Sequence, residues 1–191
     1  MTTSTWQADP LAWGHGPRVL EMFLEPTCPF SVRTLGKLDE LLAAAGPNNL
    51  TILVRLQSQP WHMYSGVIVR SIIAASTLPE GREGAKAVMA AVGAHREEFE
   101  FENHASGPNM DATPAEIVAR IESYSGLTLA QAFSIPDLDR VIKWHCKYAR
   151  QNGIHVSPTF MIDGLVHHDM GSGDTIEEWL KKLGLPFDDN V

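Results

Sequence analysis

Apolar residues along this chain fall into two rhythms, and the rhythm changes wherever turn-forming residues gather. Arg18 to Leu24 is a short run of Val, Leu, Met and Phe that predicts a strand, ended by Glu25-Pro26-Thr27. From Ser31 to Ala45 the apolar positions are Val32, Leu35, Leu38, Leu41, Leu42 and Ala45, which is helical spacing. Gly46-Pro47 stops that helix: Gly suits a left-handed turn and Pro cannot continue. Leu50 to Leu56 is an apolar run broken only by Thr51 and Arg55, as expected of a buried parallel strand. Strand, helix, strand with a right-handed crossover sets the two strands parallel.

Beyond Tyr64 the pattern becomes helical up to about Phe133. Val67, Ile68, Ile72 and Ala75 form one stripe; Ala87, Val88, Ala91, Val92 and His95 form another. Gly107-Pro108-Asn109 predicts a loop between helices. Thr113-Pro114-Ala115-Glu116 is a helix start with an N-cap, Pro at the first helical position and Glu at the third. Ile117, Val118 and Ile121 then supply the apolar face. Asp137 to Gln151 predicts a further helix with Leu138, Val141, Ile142, His145, Cys146 and Ala149 on one side, closed by Asn152-Gly153. On that stripe Cys146 reads as a small buried hydrophobe. A strand is expected from Val156 through Ile162, then an Asp163-Gly164 hairpin turn and a return strand from Leu165 to His168. Asp174 or Thr175 caps a last helix with Ile176, Trp179, Leu180 and Leu183, ended by Gly184.

Strand, helix, strand, then helix, hairpin, helix is the element order of a thioredoxin-like α/β fold, a mixed sheet flanked by helices. Residues 1–62 and 134–191 are assigned to that domain, and 63–133 to an all-helical insertion.

Composition narrows the function classes. The chain has 191 residues, enough to bury a core without covalent staples. Its net charge is -8 and it has no basic stripe, which argues against nucleic acid and against an anionic membrane surface. The first residues lack the basic start and apolar run of a secretory signal. The 2 cysteines, Cys28 and Cys146, are too few for a disulfide framework or a structural zinc site. A reducing, cytoplasmic setting is the expectation. His167 and His168 are strand neighbours pointing to opposite faces, so no metal site is expected from them.

The candidate chemistry centres on Cys28-Pro29-Phe30-Ser31, between the first strand and the first helix. A sulfur there meets backbone N–H groups with no intrahelical partner and the positive end of the helix dipole; both favour thiolate, the nucleophilic form. Pro29 fits the first helical position. Ser31 is one turn in; it either caps or donates to the sulfur, and it cannot form a disulfide. In Val156-Ser157-Pro158-Thr159 a proline opens a strand, a place where a cis peptide can present the Ser157 backbone to a ligand. Gln59-Pro60-Trp61-His62 follows the second strand and so shares the carboxyl edge of the sheet, where ligands of open α/β sheets bind. Trp61 reads as a pocket wall. His62 reads first as a helix-start histidine and second as a substrate contact.

Together, Cys-Pro-Phe-Ser after a strand, the helical insertion and the distant Val-Ser-Pro-Thr resemble the DsbA-like branch of the thioredoxin superfamily. The resemblance runs from about Pro17 to the last helix and implies thiol–disulfide exchange. On it, Cys28 matches the attacking cysteine and Pro158 the cis-proline, with Pro29, Phe30, Ser157, Trp61 and His62 expected around the substrate. The family's second cysteine falls at Ser31, so a mixed disulfide on Cys28 needs an outside thiol such as glutathione to resolve it. Monothiol glutaredoxins, with Cys-Gly-Phe-Ser, look similar in this respect. Kappa-class glutathione transferases and related isomerases share the layout but carry Ser where Cys28 stands. The expected function is therefore a single-cysteine thiol–disulfide oxidoreductase or disulfide isomerase, monomeric or homodimeric, with no resident cofactor. A glutathione-dependent transferase or isomerase and a non-catalytic binding module are the alternatives.

Overall fold

The computed structural model describes residues 6–100 and 112–186. Its centre is one five-stranded mixed sheet in the order β1-β3-β2-β4-β5. Strands β2 (Arg18–Leu24) and β3 (Leu50–Leu56) run parallel in register from Arg18↔Leu50 to Leu24↔Leu56, with the expected bounds. Strand β4 (Thr159–Ile162) lies antiparallel to β2, its first residue opposite Phe23. The segment before β4 therefore meets the ends of β2 and β3 at one edge. Hairpin residues Asp163 and Gly164 both have positive φ, 49° and 85°, as a tight two-residue turn into β5 (Leu165–Val166) requires.

The sheet departs from the sequence reading in three places. An additional edge strand, β1 (Ala12–Gly14), pairs antiparallel with β3; three residues are too few to show a period. Strand β4 starts at Thr159 rather than Val156, because the bend at Pro158 keeps the preceding residues out of the ladder and leaves Val156 exposed. The return strand ends at Val166 rather than His168.

The expected helix over 31–45 is two, α1 (Pro29–Gly36) and α2 (Leu38–Ala45). The Thr34 hydroxyl donates back to the Phe30 carbonyl at 2.9 Å, a contact that bends helices, and Gly36 adds no stiffness. Lys37 at the break reaches the loop before the last helix, donating to the Ser172 carbonyl at 2.9 Å and also to that of Asp174. The helical block contains α3 (Ser65–Ala75), α4 (Arg82–Ala94), a short 3-10 turn (Arg96–Glu98), α5 (Pro114–Ser125) and α6 (Ala130–Phe133). The Gly107-Pro108-Asn109 loop lies outside the described residues. Both halves of a capping box form at Thr113 and Glu116, and again at Thr175 and Glu178 at the head of α8 (Ile176–Leu183).

Helix α7 (Asp139–Gln151) starts two residues later than expected, since Asp137 adopts φ 65°. The main core joins sheet and insertion: Leu20, Met22, Ile52 and Leu56 pack in one cluster with Ile68, Ile72, Val88 and Ile121. At about 1.5–3 kcal/mol for each large apolar side chain buried, this continuity holds the block to the sheet. Close approach is part of it: a Cβ on Gly93 of α4 would come within 2.8 Å of Val32 Cγ1 on α1.

Candidate active site

Cys28 is the N-cap residue of α1, with Pro29 at the first helical position; its carbonyl accepts from Val32 N–H at 2.9 Å. The thiol is free and buried, whereas Pro29 and Phe30 are exposed. Cys28 Sγ lies 3.6 Å from the Ser157 carbonyl oxygen, and the Ser157–Pro158 peptide is cis. The sheet thus brings two segments 129 residues apart into contact across the ends of β2 and β4. Exposed apolar side chains from three segments lie at this edge: Phe30 from α1, Trp61 from the loop after β3, and Val156 ahead of Pro158.

Ser31 does not serve as the helix N-cap. It is buried, and its hydroxyl accepts from the Glu25 N–H at 3.3 Å, tying the strand end to the first helical turn. No hydrogen bond between Ser31 and Cys28 occurs among the described residues.

Behind the cysteine lies a buried polar network that the sequence pattern does not reveal. Glu25 is fully buried. Its Oε2 accepts from the Thr27 backbone N–H at 2.9 Å and from the Thr27 hydroxyl at 2.8 Å, and its Oε1 from Ser65 Oγ at 2.8 Å. Burial pushes the Glu25 carboxyl above its ordinary 4.5; the attraction of His62 and the bonds from Ser65 and Thr27 oppose that shift. His62 Nδ1 stands 2.6 Å from Glu100 Oε2, 2.9 Å from Thr27 Oγ1 and 3.3 Å from Glu25 Oε2. Glu100 Oε2 is also 3.0 Å from Thr27 Oγ1. The Thr27 hydroxyl has one proton and serves only one carboxylate at a time. His62 is thus tied into the site's foundation, with its ring nitrogen between two buried carboxylates. Glu100 comes from the helical block, so the insertion contributes directly to the loop that carries Cys28.

Gln59 braces the other side. Its backbone N–H donates to Ser65 Oγ at 3.2 Å, its side-chain nitrogen to the His155 carbonyl at 3.3 Å, and its side-chain oxygen accepts from Ser157 Oγ at 3.1 Å. The Pro158 loop and the Cys28 loop are therefore joined through Gln59, Ser65 and Glu25. Beside Gln59 opens a cavity of about 230 Å³ lined by Trp61, Cys146, Arg150, Ile154 and His155. Cys146 is half-buried and faces this cavity, not the core. The cavity's far wall is α7 and the segment after it rather than the insertion.

The sequence pointed to Cys28, Ser157, Pro158, Trp61 and His62 but passed over Glu25, Thr27, Gln59, Ser65 and Glu100. An available signal was Glu25 itself, a carboxylate directly after the apolar Met22-Phe23-Leu24 end of β2 and three residues before the cysteine.

The fold and this pairing of a helix-start cysteine with a cis-proline loop define a thioredoxin-fold protein of the DsbA-like kind. No family model and no curated protein matches the chain. Among solved structures, a proposed protein-disulfide isomerase from Pseudomonas syringae is 67% identical, with a TM-score of 0.91, over 92% of this chain and 98% of that one. This chain belongs to that protein's family. A thioredoxin-like oxidoreductase from Silicibacter pomeroyi DSS-3 shares the fold at 19% identity and TM-score 0.63, covering 92% of this chain and 91% of that one. DsbA2 of Pseudomonas aeruginosa does so at 17% identity and TM-score 0.60, over 94% and 98%.

Proposed function

We propose that this protein is a thiol–disulfide oxidoreductase that works through Cys28 alone and relies on an external thiol, glutathione being the simplest, to complete each cycle. The observation that supports this reading most strongly is the free Cys28 thiol at a helix start, against the Ser157 carbonyl, with Ser31 where a second cysteine would stand. In the proposed cycle the Cys28 thiolate attacks one sulfur of a substrate disulfide. The Cys28–substrate sulfur bond forms as the old disulfide breaks, and the other sulfur leaves as a thiolate that takes up a proton. A glutathione thiolate then attacks the bound substrate sulfur, forming a new disulfide and returning Cys28 as thiolate. Electrons balance: one disulfide is consumed and one is produced. The Ser157 backbone and the exposed Phe30, Trp61 and Val156 would hold an extended thiol-bearing chain across the sulfur.

The test is exchange between reduced glutathione and a glutathionylated peptide, followed for the wild type, Cys28→Ser and Cys146→Ala. The expected result is loss of turnover in Cys28→Ser, near-normal turnover in Cys146→Ala, and a trapped glutathione adduct on Cys28. Turnover that survives Cys28→Ser would overturn the reading. It would favour the second one, glutathione-dependent transfer or isomerisation, which the cavity walled by Trp61 and Arg150 supports.

A further inference from the structure

We propose that the cavity between the N-terminal segment, β3 and α7 is a second binding site, for a small aromatic carboxylate. It shares no lining residue with the Cys28 site, and the proposal does not depend on the redox reading. Its volume is about 400 Å³, within the roughly 300–1,000 Å³ range of small-molecule pockets. The walls are mainly apolar and include Leu11, Leu53, Ile73 and Val141 with the indole residues Trp6 and Trp144. Trp144 is 46% exposed although it is a large aromatic on a helix facing the sheet. A ring-bearing ligand would cover both indoles.

The polar groups in this cavity point to an anion. Arg55 and Glu21 pair at 2.5 Å and so cancel. Asp9 is held at the head of α4, where it accepts from Arg82 N–H at 2.9 Å. Arg140 lies over the Trp6 ring, 5.6 Å from its centroid, and has no carboxylate within ion-pair distance among the described residues. His145 adds a directed donor. The ring is buried, and its Nδ1 accepts from the Leu56 N–H at 3.1 Å. A neutral imidazole whose Nδ1 accepts carries its proton on Nε2. Burial, then the charge of Arg55, lowers the His145 pKa to about 4, so the ring is neutral at pH 7. Nε2 has no hydrogen-bond partner among the described residues, while every fully enclosed side-chain polar atom there has one. Nε2 is thus not fully enclosed, and His145 is among the residues that line the cavity. One unpaired guanidinium, one fixed N–H donor and two indoles around an apolar floor match a carboxylate on an aromatic ring. Arg140 is exposed, so an anion would exchange its water for an ion pair, a neutral ligand would gain none, and a cation would be repelled.

The probe is 2-naphthoate, titrated calorimetrically into the full-length protein, with 2-naphthylmethanol as its neutral counterpart. Saturable one-to-one binding is expected. It should weaken at least about tenfold in Arg140→Gln and for the neutral compound, and stay unchanged in Cys28→Ser. Trp6→Ala, outside every helix and strand, should also weaken binding and serves if Arg140→Gln fails to fold. Absence of saturable binding would overturn the proposal. So would equal affinity for the neutral compound, affinity indifferent to both variants, or dependence on Cys28.

Discussion

Two polar clusters draw on consecutive stretches of the same strands, one closed beneath the Cys28 loop and the other open to a cavity. After β2, Glu25 and Glu100 meet at the imidazole of His62, in a cluster built on two buried carboxylates. Beside β2 and β3, Glu21 faces Arg55, Tyr148 donates to Glu21 at 2.8 Å, and the exposed Arg140 borders the same cavity with no ion-pair partner among the described residues. The first cluster is closed around backbone atoms and supports the loop that carries Cys28. The second borders open space and can take a ligand. A charged group is tolerated at each place because something that answers it is at hand: protein donors in the first case, solvent or an incoming anion in the second.

The largest effect should come from removing His62 from the acidic cluster. His62→Ala leaves two buried carboxylates facing each other and should cost about 3–5 kcal/mol in urea unfolding at pH 8. The cost should shrink as pH falls through the raised Glu25 value, where that carboxyl takes up a proton instead. A pH-independent loss would mean that packing, not charge, is what His62 contributes.

Next is His145 on the cavity side. Its folded pKa of about 4 is below the ordinary 6.5, so its stabilising contribution is fully present above pH 6.5 and lost as pH falls toward 4. That difference is worth about 3 kcal/mol, and it should flatten in His145→Gln. An unchanged pH slope in the variant would remove His145 from the account.

The smallest effect has the opposite slope. Burial raises the Glu25 pKa above 4.5, so its favourable contribution is complete below pH 4.5 and is lost as pH rises through the raised value. Glu25→Gln should therefore gain stability relative to wild type as pH increases from 4.5 to 8. A constant difference across that range would show that the bonds from Thr27 and Ser65, rather than the charge, set the energy of Glu25.

These clusters also mark where the sequence stops being legible. Periodicity located β2, β3 and the stripes of α3 and α5, because burial of one face imposes a spacing that survives in the pattern. The caps at Thr113 and Thr175 and the Asp163-Gly164 turn were readable because each is a local rule. Cys28 and Pro158 stood out through position, one at a helix start and one at a strand start. Glu25, Gln59 and Glu100 have no such local rule. A polar residue in a loop looks the same whether it meets water or a partner 73 residues away, as Glu100 meets Thr27, and only the closed sheet and docked helices decide which. The break at Lys37 escaped for the same reason, since its partners Ser172 and Asp174 lie at the far end of the chain.

Glu100 also bears on how the molecule can be taken apart. The helical block is inserted between two halves of a familiar scaffold, which invites treating it as an exchangeable cassette. Yet it brings a carboxylate within 2.6 Å of His62 and 3.0 Å of the Thr27 hydroxyl, one residue from the cysteine. A chimera carrying a relative's block would import that relative's answer at this position, whether a carboxylate, an amide or a methyl group. Its seams could be faultless and its helices well packed, and the hybrid would still be judged at one oxygen atom beneath the Cys28 loop.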